Sequence, residues 1–315
     1  MLEGENMFKQ TNFYVHNFGK FIVINRPKYG SRIFNLYWNA YLEKKLPNNL
    51  YLKRLSEVAF LNLYTINCSP KWECPHNVHL QTVSNNFDRL EVENPNLFLH
   101  TKTNLDTYKI SDPDSLLKHP DYEYWKSEAV GFLKQVDYDN NVLLNKLWKG
   151  KRVDVPIYFV YRNPENHFKS GLLQDTGYHE FIDDKKKCFE LFDFELGDSG
   201  YAGNHRGNYL SFLMPNLYHL PNIYFYNLDN ETKLDFLNIF KTELDLNDAR
   251  SLRVSILKTG MDEHEHRAQS SHKQAYSIVN EYFNKESVYN NFQNYYFSDI
   301  IWYNKLIKDK RNIIK

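Results

Sequence analysis

The sequence is poor in cysteine and has no long apolar run. Its three cysteines among 315 residues are too few for a disulfide framework, so they favour a reducing compartment. No apolar stretch approaches the roughly 20 residues that a membrane span needs, and the first residues lack the apolar core of a signal peptide. We therefore expect a soluble, cytoplasmic protein without a membrane partner.

The sequence also lacks net charge. Lysine plus arginine and aspartate plus glutamate each number 39, which gives a net charge of zero. Because no global charge would attract nucleic acid, we expect no nucleic-acid partner, and any anion site has to be local. Aromatic residues are abundant instead, with 24 Tyr and 22 Phe, and they predict an aromatic core.

The length and the apolar content predict one large domain. A chain of 315 residues with 42% hydrophobic residues can bury a sizeable core. We interpret residues 1–315 as a single domain with insertions near 67–95, 102–151 and 174–210. Nothing in the sequence indicates an oligomeric state.

The stretch from residue 21 to residue 41 organises the fold prediction. Residues 21–24 are four consecutive β-formers without polar alternation, which is typical of strands in parallel α/β sheets. After a turn, apolar residues recur at intervals of three and four between Ile33 and Tyr41, as on one face of a helix. The predicted fold class is α/β, with a central parallel sheet flanked by helices.

The turn between this strand and this helix is a candidate anion site. The backbone N–H groups of Gly30, Ser31 and Arg32 would point out of the helix start, at the positive end of the helix dipole. Lys28 adds a mobile positive charge, and Gly30 lets a phosphate approach the backbone. The alternative is an ordinary strand–turn–helix unit with a surface lysine.

A second strand–turn–helix unit carries the next polar residues. The apolar run 155–161 ends in Arg162-Asn163-Pro164, and a proline at the first helical position behind an asparagine cap is typical of a helix start. Arg162 and Ser170 can both reach the carboxyl edge of the sheet, where open α/β folds bind ligands. A capped surface helix is the alternative.

The rest of the pattern predicts further elements and one loop. Strands are predicted at 13–16 (an edge strand), 58–64, 97–100 and 222–226, the last followed by Asp229 or Asn230 as the cap of a helix over 233–246. The tail 270–308 is predicted to be helical with a break near Asn284, and the charge run 183–187 to be a solvated loop.

The two strand–turn–helix units resemble the signatures of the sulfotransferases that use 3'-phosphoadenosine 5'-phosphosulfate (PAPS). In the first signature a strand precedes Pro-Lys-(small)-Gly-(Ser/Thr)-(Ser/Thr), and residues 27–32 read Pro-Lys-Tyr-Gly-Ser-Arg. In the second, Arg-(Asn/Asp)-Pro precedes a helix with Ser eight residues after the Arg, as at Arg162 and Ser170. Two later stretches are weakly similar: 222–246 resembles the strand and helix that precede the family's final cofactor loop, and 270–303 resembles the end of the carbohydrate-type branch.

The resemblance implies a P-loop-like sulfotransferase architecture with PAPS as the cofactor. Tyr29 and Arg32 stand where the family has a small residue and a hydroxyl residue, and Arg32 can supply charge in exchange. The residues that the resemblance assigns to the cofactor are Lys28, Tyr29, Gly30, Ser31 and Arg32 for the 5'-phosphosulfate, and Arg162 and Ser170 for the 3'-phosphate.

Sulfuryl transfer also needs a general base and a cation. The family often places a histidine after Lys-Thr at a strand end, but here Asn104 follows Lys102-Thr103. The first candidates are therefore His100 as the base and Lys28 as the catalytic cation; alternatively, His100 only packs against or caps the strand. The other candidate histidines are His76, His79 and His205.

No metal is required by this chemistry. Cys68, Cys74, His76 and His79 are all zinc-ligand types, but a cysteine spacing of six is wide for a zinc knuckle, so a plain loop is preferred. The acidic, histidine-containing run 262–266 is interpreted as a solvated turn for the same reason as other charge runs.

The expected activity is transfer of the sulfuryl group from PAPS to a hydroxyl of a carbohydrate or other small polar acceptor, with PAP as the product. Two alternatives stay open. An ATP-using P-loop phosphotransferase would need Gly-x-x-x-x-Gly-Lys-(Ser/Thr) and a magnesium-binding carboxylate after a strand, and the sequence has neither. A non-catalytic nucleotide-binding relative would keep the fold and lack the base, which Asn104 makes worth considering.

Overall fold

The computed structural model describes part of the chain. The described residues are 13–26, 28–29, 67–68, 151–177, 182–198, 200–202, 205–229, 243–244 and 270–313, with single positions between 34 and 45 and between 120 and 149.

In the described residues, five strands form one mixed sheet in the order β3-β1-β2-β4-β5. Their bounds are Phe13–Asn17 (β1), Ile22–Asn25 (β2), Asn67–Cys68 (β3), Ile157–Tyr161 (β4) and Ile223–Asn227 (β5). β2, β4 and β5 run parallel, whereas β1 is antiparallel to both β2 and β3. The predicted α/β class is confirmed, and the parallel part of the sheet is its β2-β4-β5 half. The prediction of an edge position for β1 is wrong, because β3 pairs with its outer side.

The three parallel strands are largely buried, with half-buried Tyr158 on β4 and exposed Tyr224 on β5 as the exceptions. All residues of β2 are buried, and Ile24 pairs with Phe159, which in turn pairs with Phe225. Continuous burial of this kind is expected for strands that helices flank on both sides. The helical positions described after the first turn include buried Phe34 and Trp38, in agreement with the helix predicted there.

Five helices of the described residues complete the fold. Their bounds are Pro164–Asp175 (α1), Lys185–Asp198 (α2), Leu210–Leu217 (α3), Ser270–Phe283 (α4) and Glu286–Leu306 (α5). α1, α2, α4 and α5 share one core that includes Phe168, Phe192, Tyr282 and Phe292. The predicted helical tail with a break near Asn284 is confirmed. None of the helices in the described residues has the length and apolarity needed to cross a membrane.

The prediction of a solvated loop at 183–187 is wrong. α2 begins at Lys185, and Asp184 caps it: its carboxylate accepts a hydrogen bond from the Lys187 N–H at 3.0 Å, and its carbonyl accepts one from the Cys188 N–H at 2.9 Å. The charges still face solvent, since residues 183–187 are exposed. A charge run can therefore be a helix start when an aspartate stands at the N-cap.

α5 caps the start of α3 through one buried carboxylate. Asp299 accepts hydrogen bonds from the backbone N–H groups of Tyr209, Leu210 and Ser211 at 2.8, 3.1 and 2.8 Å, and from the Ser211 hydroxyl. Burial raises the pKa of Asp299, and these hydrogen bonds oppose the shift. This side chain ties the C-terminal helix to the loop 205–209, which lies beside the candidate site.

Several predicted elements lie outside the described residues. They are the strands at 58–64 and 97–100, most of the helix over 233–246, the candidate zinc residues Cys74, His76 and His79, and the run 262–266.

Candidate functional site

The candidate site lies where β2 and β4 end. These strands are neighbours and run parallel, so their carboxyl ends meet at one edge of the sheet. There the Arg162 Nη1 donates a hydrogen bond to the Lys28 carbonyl at 3.2 Å. Lys28 and Arg162, one from each predicted half of the cofactor site, are thus in direct contact.

Lys28 adopts an unusual backbone conformation. Its φ is 69°, in the left-handed region that costs a non-glycine residue about 1–2 kcal/mol. The side chain leaves the turn towards α1, where Nζ donates to the Gln174 Oε1 at 2.8 Å. The ammonium group thereby lies beside a neutral amide, and Lys28 is partly exposed. Gly30, Ser31 and Arg32 lie outside the described residues.

Arg162 is held in an ion pair. Its Nε donates to Asp229 Oδ1 at 3.0 Å, and Tyr276 contributes a further side-chain hydrogen bond. Arg162 is only 7% exposed, and burial lowers the pKa of its guanidinium, but the charge of Asp229 together with the interactions with Tyr276 and the Asp229 hydrogen bond outweighs burial and raises it. Arg162 is therefore a fixed, permanently charged group at the end of β4.

Asp229 organises the start of α1 and does not merely follow β5. Its second oxygen accepts the Asn163 N–H at 2.6 Å, and Asn166 donates to the first oxygen at 3.1 Å. The carboxylate suggested as the cap of a helix after β5 thus binds the β4–α1 junction. The topology supplies the signal that our sequence interpretation missed: Tyr161 and Asn227 are register partners, so the residues just after them must meet.

The predicted start of α1 is confirmed. Asn163 Oδ1 accepts the Glu165 N–H at 2.8 Å, and Pro164 is the first helical residue. Ser170 is half-buried two turns into α1, and among the described residues no hydrogen bond joins it to Arg162. The structure therefore places Ser170 on α1 without linking it to Arg162.

Tyr29 lies in the core and does not line an open site. It is fully buried, and its ring packs against His167 and Tyr209, with centroids 4.8 and 5.0 Å apart. Its N–H donates to the Arg26 carbonyl at 3.0 Å. Both the ring and the N–H of Tyr29 are thus engaged within the fold, and its assignment to the cofactor stays a prediction. Burial raises the pKa of Tyr29 well above its ordinary value, which keeps the phenol neutral.

Arg26 is a residue that sequence reasoning missed. Its side chain is fully buried at the end of β2, with Nη1 bound to the Gly207 carbonyl at 2.8 Å and Nη2 to the Arg206 carbonyl at 2.7 Å. The guanidinium also lies 5.9 Å from the Tyr29 ring centroid and 5.5 Å from that of Tyr209. Arg26 therefore fastens the Lys28 turn to the loop 205–207.

That loop carries a second charged cluster. Asp175, the last residue of α1, binds the His205 Nδ1 through one oxygen and the Arg206 Nε through the other, the latter at 3.0 Å. Glu195 on α2 holds the other end of the buried Arg206 guanidinium. His205 was a reserve candidate for the base, whereas nothing in the local sequence pointed to Asp175.

The other histidines of interest are either buried or outside the described residues. His167 is fully buried, and burial together with the charges of Arg26 and Arg162 lowers its pKa well below the ordinary value, so it is neutral. His100, His76 and His79 are not described. Among the described residues no group of three or more potential ligands is arranged to hold a metal ion.

Comparisons with protein-family models, with curated proteins and with solved structures found no match to this chain.

Proposed function

We propose that the protein is a PAPS-dependent sulfotransferase with a P-loop-like sulfotransferase architecture, which transfers a sulfuryl group to a hydroxyl of a carbohydrate or other small polar acceptor. One observation carries the proposal: the Lys28 turn and Arg162 end adjacent parallel strands and are in contact at 3.2 Å. That edge is where open α/β sheets bind ligands.

The residues present fit a ligand with two anionic groups. Lys28 would bind the 5'-phosphosulfate, together with the N–H groups of residues 30–32, and Arg162 with Ser170 would bind the 3'-phosphate. Asp229, the Lys28 carbonyl and Tyr276 engage Arg162, but a guanidinium has five N–H donors and can serve a phosphate as well. PAPS would supply the sulfuryl group, and PAP would be the product that leaves.

The chain itself supplies electrostatics and rigidity. Lys28 carries the charge that stabilises negative oxygens, and its neutral partner Gln174 competes weakly for it. Asp229 fixes Arg162 before any ligand arrives, so little side-chain entropy is lost on binding. A reducing, cytoplasmic location suits the protein, because its three cysteines are too few for a disulfide framework.

The proposal is tested by calorimetric titration with PAP. We expect saturable binding by the wild-type protein, and a loss of affinity of tenfold or more in Lys28→Ala and in Arg162→Lys, because lysine cannot reproduce the planar fork of arginine. The control is Arg152→Ala, since that side chain is 77% exposed and, within the described part of the chain, its ion pair is with exposed Asp154. Absence of PAP binding by the wild type, or equal affinity in all variants, would refute the proposal.

Two further assays separate the alternatives. Magnesium-dependent turnover of ATP would identify a phosphotransferase. Binding of PAP without transfer to a broad panel of glycan and small hydroxyl acceptors would identify a non-catalytic relative.

A further inference from the structure

One face of α1 brings Lys28 and His205 to the same helical turn. Gly171, Gln174 and Asp175 are spaced so that they share that face. Gln174 binds the Lys28 ammonium at 2.8 Å, and the next residue, Asp175, binds the His205 ring. At Gly171 a Cβ would lie 2.6 Å from the His205 carbonyl, so the loop is pressed directly against the helix.

The pairing with Asp175 fixes the tautomer of His205. The Asp175 carboxylate is 3% exposed, and although burial raises its pKa, the hydrogen bond from His205 and the charge of Arg206 outweigh burial and lower it. The ionised carboxylate can only accept, so Nδ1 must carry the proton that it donates. The lone pair of a neutral His205 is therefore on Nε2, and the side chain is 35% exposed.

The loop that carries His205 is held from three sides. Arg206 is fully buried and reaches both Asp175 and Glu195, while the Arg206 and Gly207 carbonyls bind Arg26 of the Lys28 turn. An oriented, partly exposed imidazole with one nitrogen bound to a buried carboxylate is the arrangement that a general base needs.

We propose that His205 is the general base that removes the proton of the acceptor hydroxyl, with Asp175 and Arg206 as positioning residues. The inference rests on the proposed sulfotransferase function. In the transfer the acceptor O–H bond breaks and its proton goes to Nε2; the hydroxyl oxygen forms the new bond to sulfur, and the bisphosphate leaves with the electron pair of the broken S–O bond.

The first test needs no acceptor and uses heteronuclear NMR of the histidine rings in the wild-type protein. We expect ring-nitrogen shifts that identify the Nδ1–H tautomer of His205, and a mixture of tautomers in Asp175→Asn. Addition of PAP should move the His205 resonances with the dissociation constant found by calorimetry, because the phosphate binds beside Lys28. Exposed His219 is the control and should not move.

The outcomes separate this inference from the function on which it rests. If PAP binds by calorimetry while the His205 resonances stay in place, or if His205 is the other tautomer, His205 is not the base and the proposed function stands. If PAP does not bind at all, the proposed function fails and the base assignment fails with it.

The second test is kinetic and uses an acceptor found with the panel. We expect His205→Gln to lower kcat by about 10²–10⁴-fold with little change in the affinity for PAP. We expect Asp175→Asn to lower kcat and to move the acidic limb of its pH profile, a change that a purely structural role would not produce. His219→Gln should match the wild type, and an unchanged kcat in His205→Gln would overturn the inference.

Discussion

Replacing Asp229 by alanine should destabilise the protein strongly, because it leaves a buried charge without its partner. Asp229 and Arg162 are 3.0 Å apart, with side chains 18% and 8% exposed. The substitution also removes the acceptor of the Asn163 N–H, which lies 2.6 Å from the second carboxylate oxygen. Both groups would then face a region that water enters poorly.

The two losses set the magnitude. Breaking a buried ion pair by removal of one partner costs about 3–5 kcal/mol, and a buried N–H without an acceptor costs about 1–3 kcal/mol. The Lys28 carbonyl and Tyr276 still bind the guanidinium, so we expect the combined loss to lie near the lower end of the summed range of about 4–8 kcal/mol, at about 4–5 kcal/mol. The free energy of unfolding should fall by that amount in Asp229→Ala.

Equilibrium unfolding in urea measures this loss, with the denaturant slope as a check on two-state behaviour. Asp154→Ala is the matched control, since its pair with Arg152 is almost fully exposed and its removal should leave stability within the error of measurement. Arg162→Met combined with Asp229→Ala should be more stable than Asp229→Ala alone, because the uncompensated charge is then gone. A loss below about 1 kcal/mol in Asp229→Ala would show that water solvates Arg162 in the folded state, and the reasoning would be refuted.

Three further predictions concern the same region. Gly171→Ala should lower the free energy of unfolding in urea by about 1–3 kcal/mol, because the new Cβ would lie 2.6 Å from Arg206 Cγ. Gly197→Ala is the control: no atom lies within 4 Å of its new Cβ, so it should raise the free energy of unfolding by up to about 1 kcal/mol in the same assay. Lys28→Gly should be as stable as the wild type or more so, since it relieves the positive φ, yet it should lose PAP binding by calorimetry; a parallel loss of stability and binding would contradict this. Burial raises the pKa of Asp299 in the folded state above the value of about 3.9 that it has in the unfolded state. As pH rises from about 3.9, the carboxyl group loses its proton in the unfolded state before it does in the folded state. The free energy of unfolding should therefore fall until the pH has passed the raised pKa. Asp299→Asn should remove that fall, so its stability difference from the wild type should change between about pH 4 and about pH 7, and a constant difference would contradict it.

Local sequence patterns predicted helices and strands, whereas contacts between residues far apart in the chain determine the geometry of the candidate site. The continuous apolar runs of β2 and β4 and the Asn163-Pro164 start of α1 need only neighbouring residues, so they could be predicted. The interior position of β1 depends on β3, about fifty residues away in the sequence. No periodicity shows that an aromatic residue in a turn, such as Tyr29, is buried under a loop from the other half of the chain.

The same distinction applies to the charged residues. Lys28 and Arg162 stand in recognisable strand–turn–helix units, so their approach at the edge of the sheet follows from parallel pairing. Asp229 pairs with Arg162 across 67 positions and Asp175 with His205 across 30, and neither pair leaves a pattern in the sequence. The Asp229–Arg162 pair can be predicted once the sheet topology is known, because β4 and β5 end side by side. The Asp175–His205 pair depends on the path of the loop 205–207, which the topology does not specify.

α1 is the element through which the two parts of the proposed chemistry depend on each other. Its first turn is fixed by Asp229, which also holds Arg162, and its last turn carries Asp175, which holds His205. A helix of 12 residues therefore sets the separation between the proposed cofactor anchor and the proposed base. Changes at the Asp229 end should consequently weaken PAP binding and also disturb the orientation of the His205 ring, whereas changes at Asp175 should disturb the ring alone.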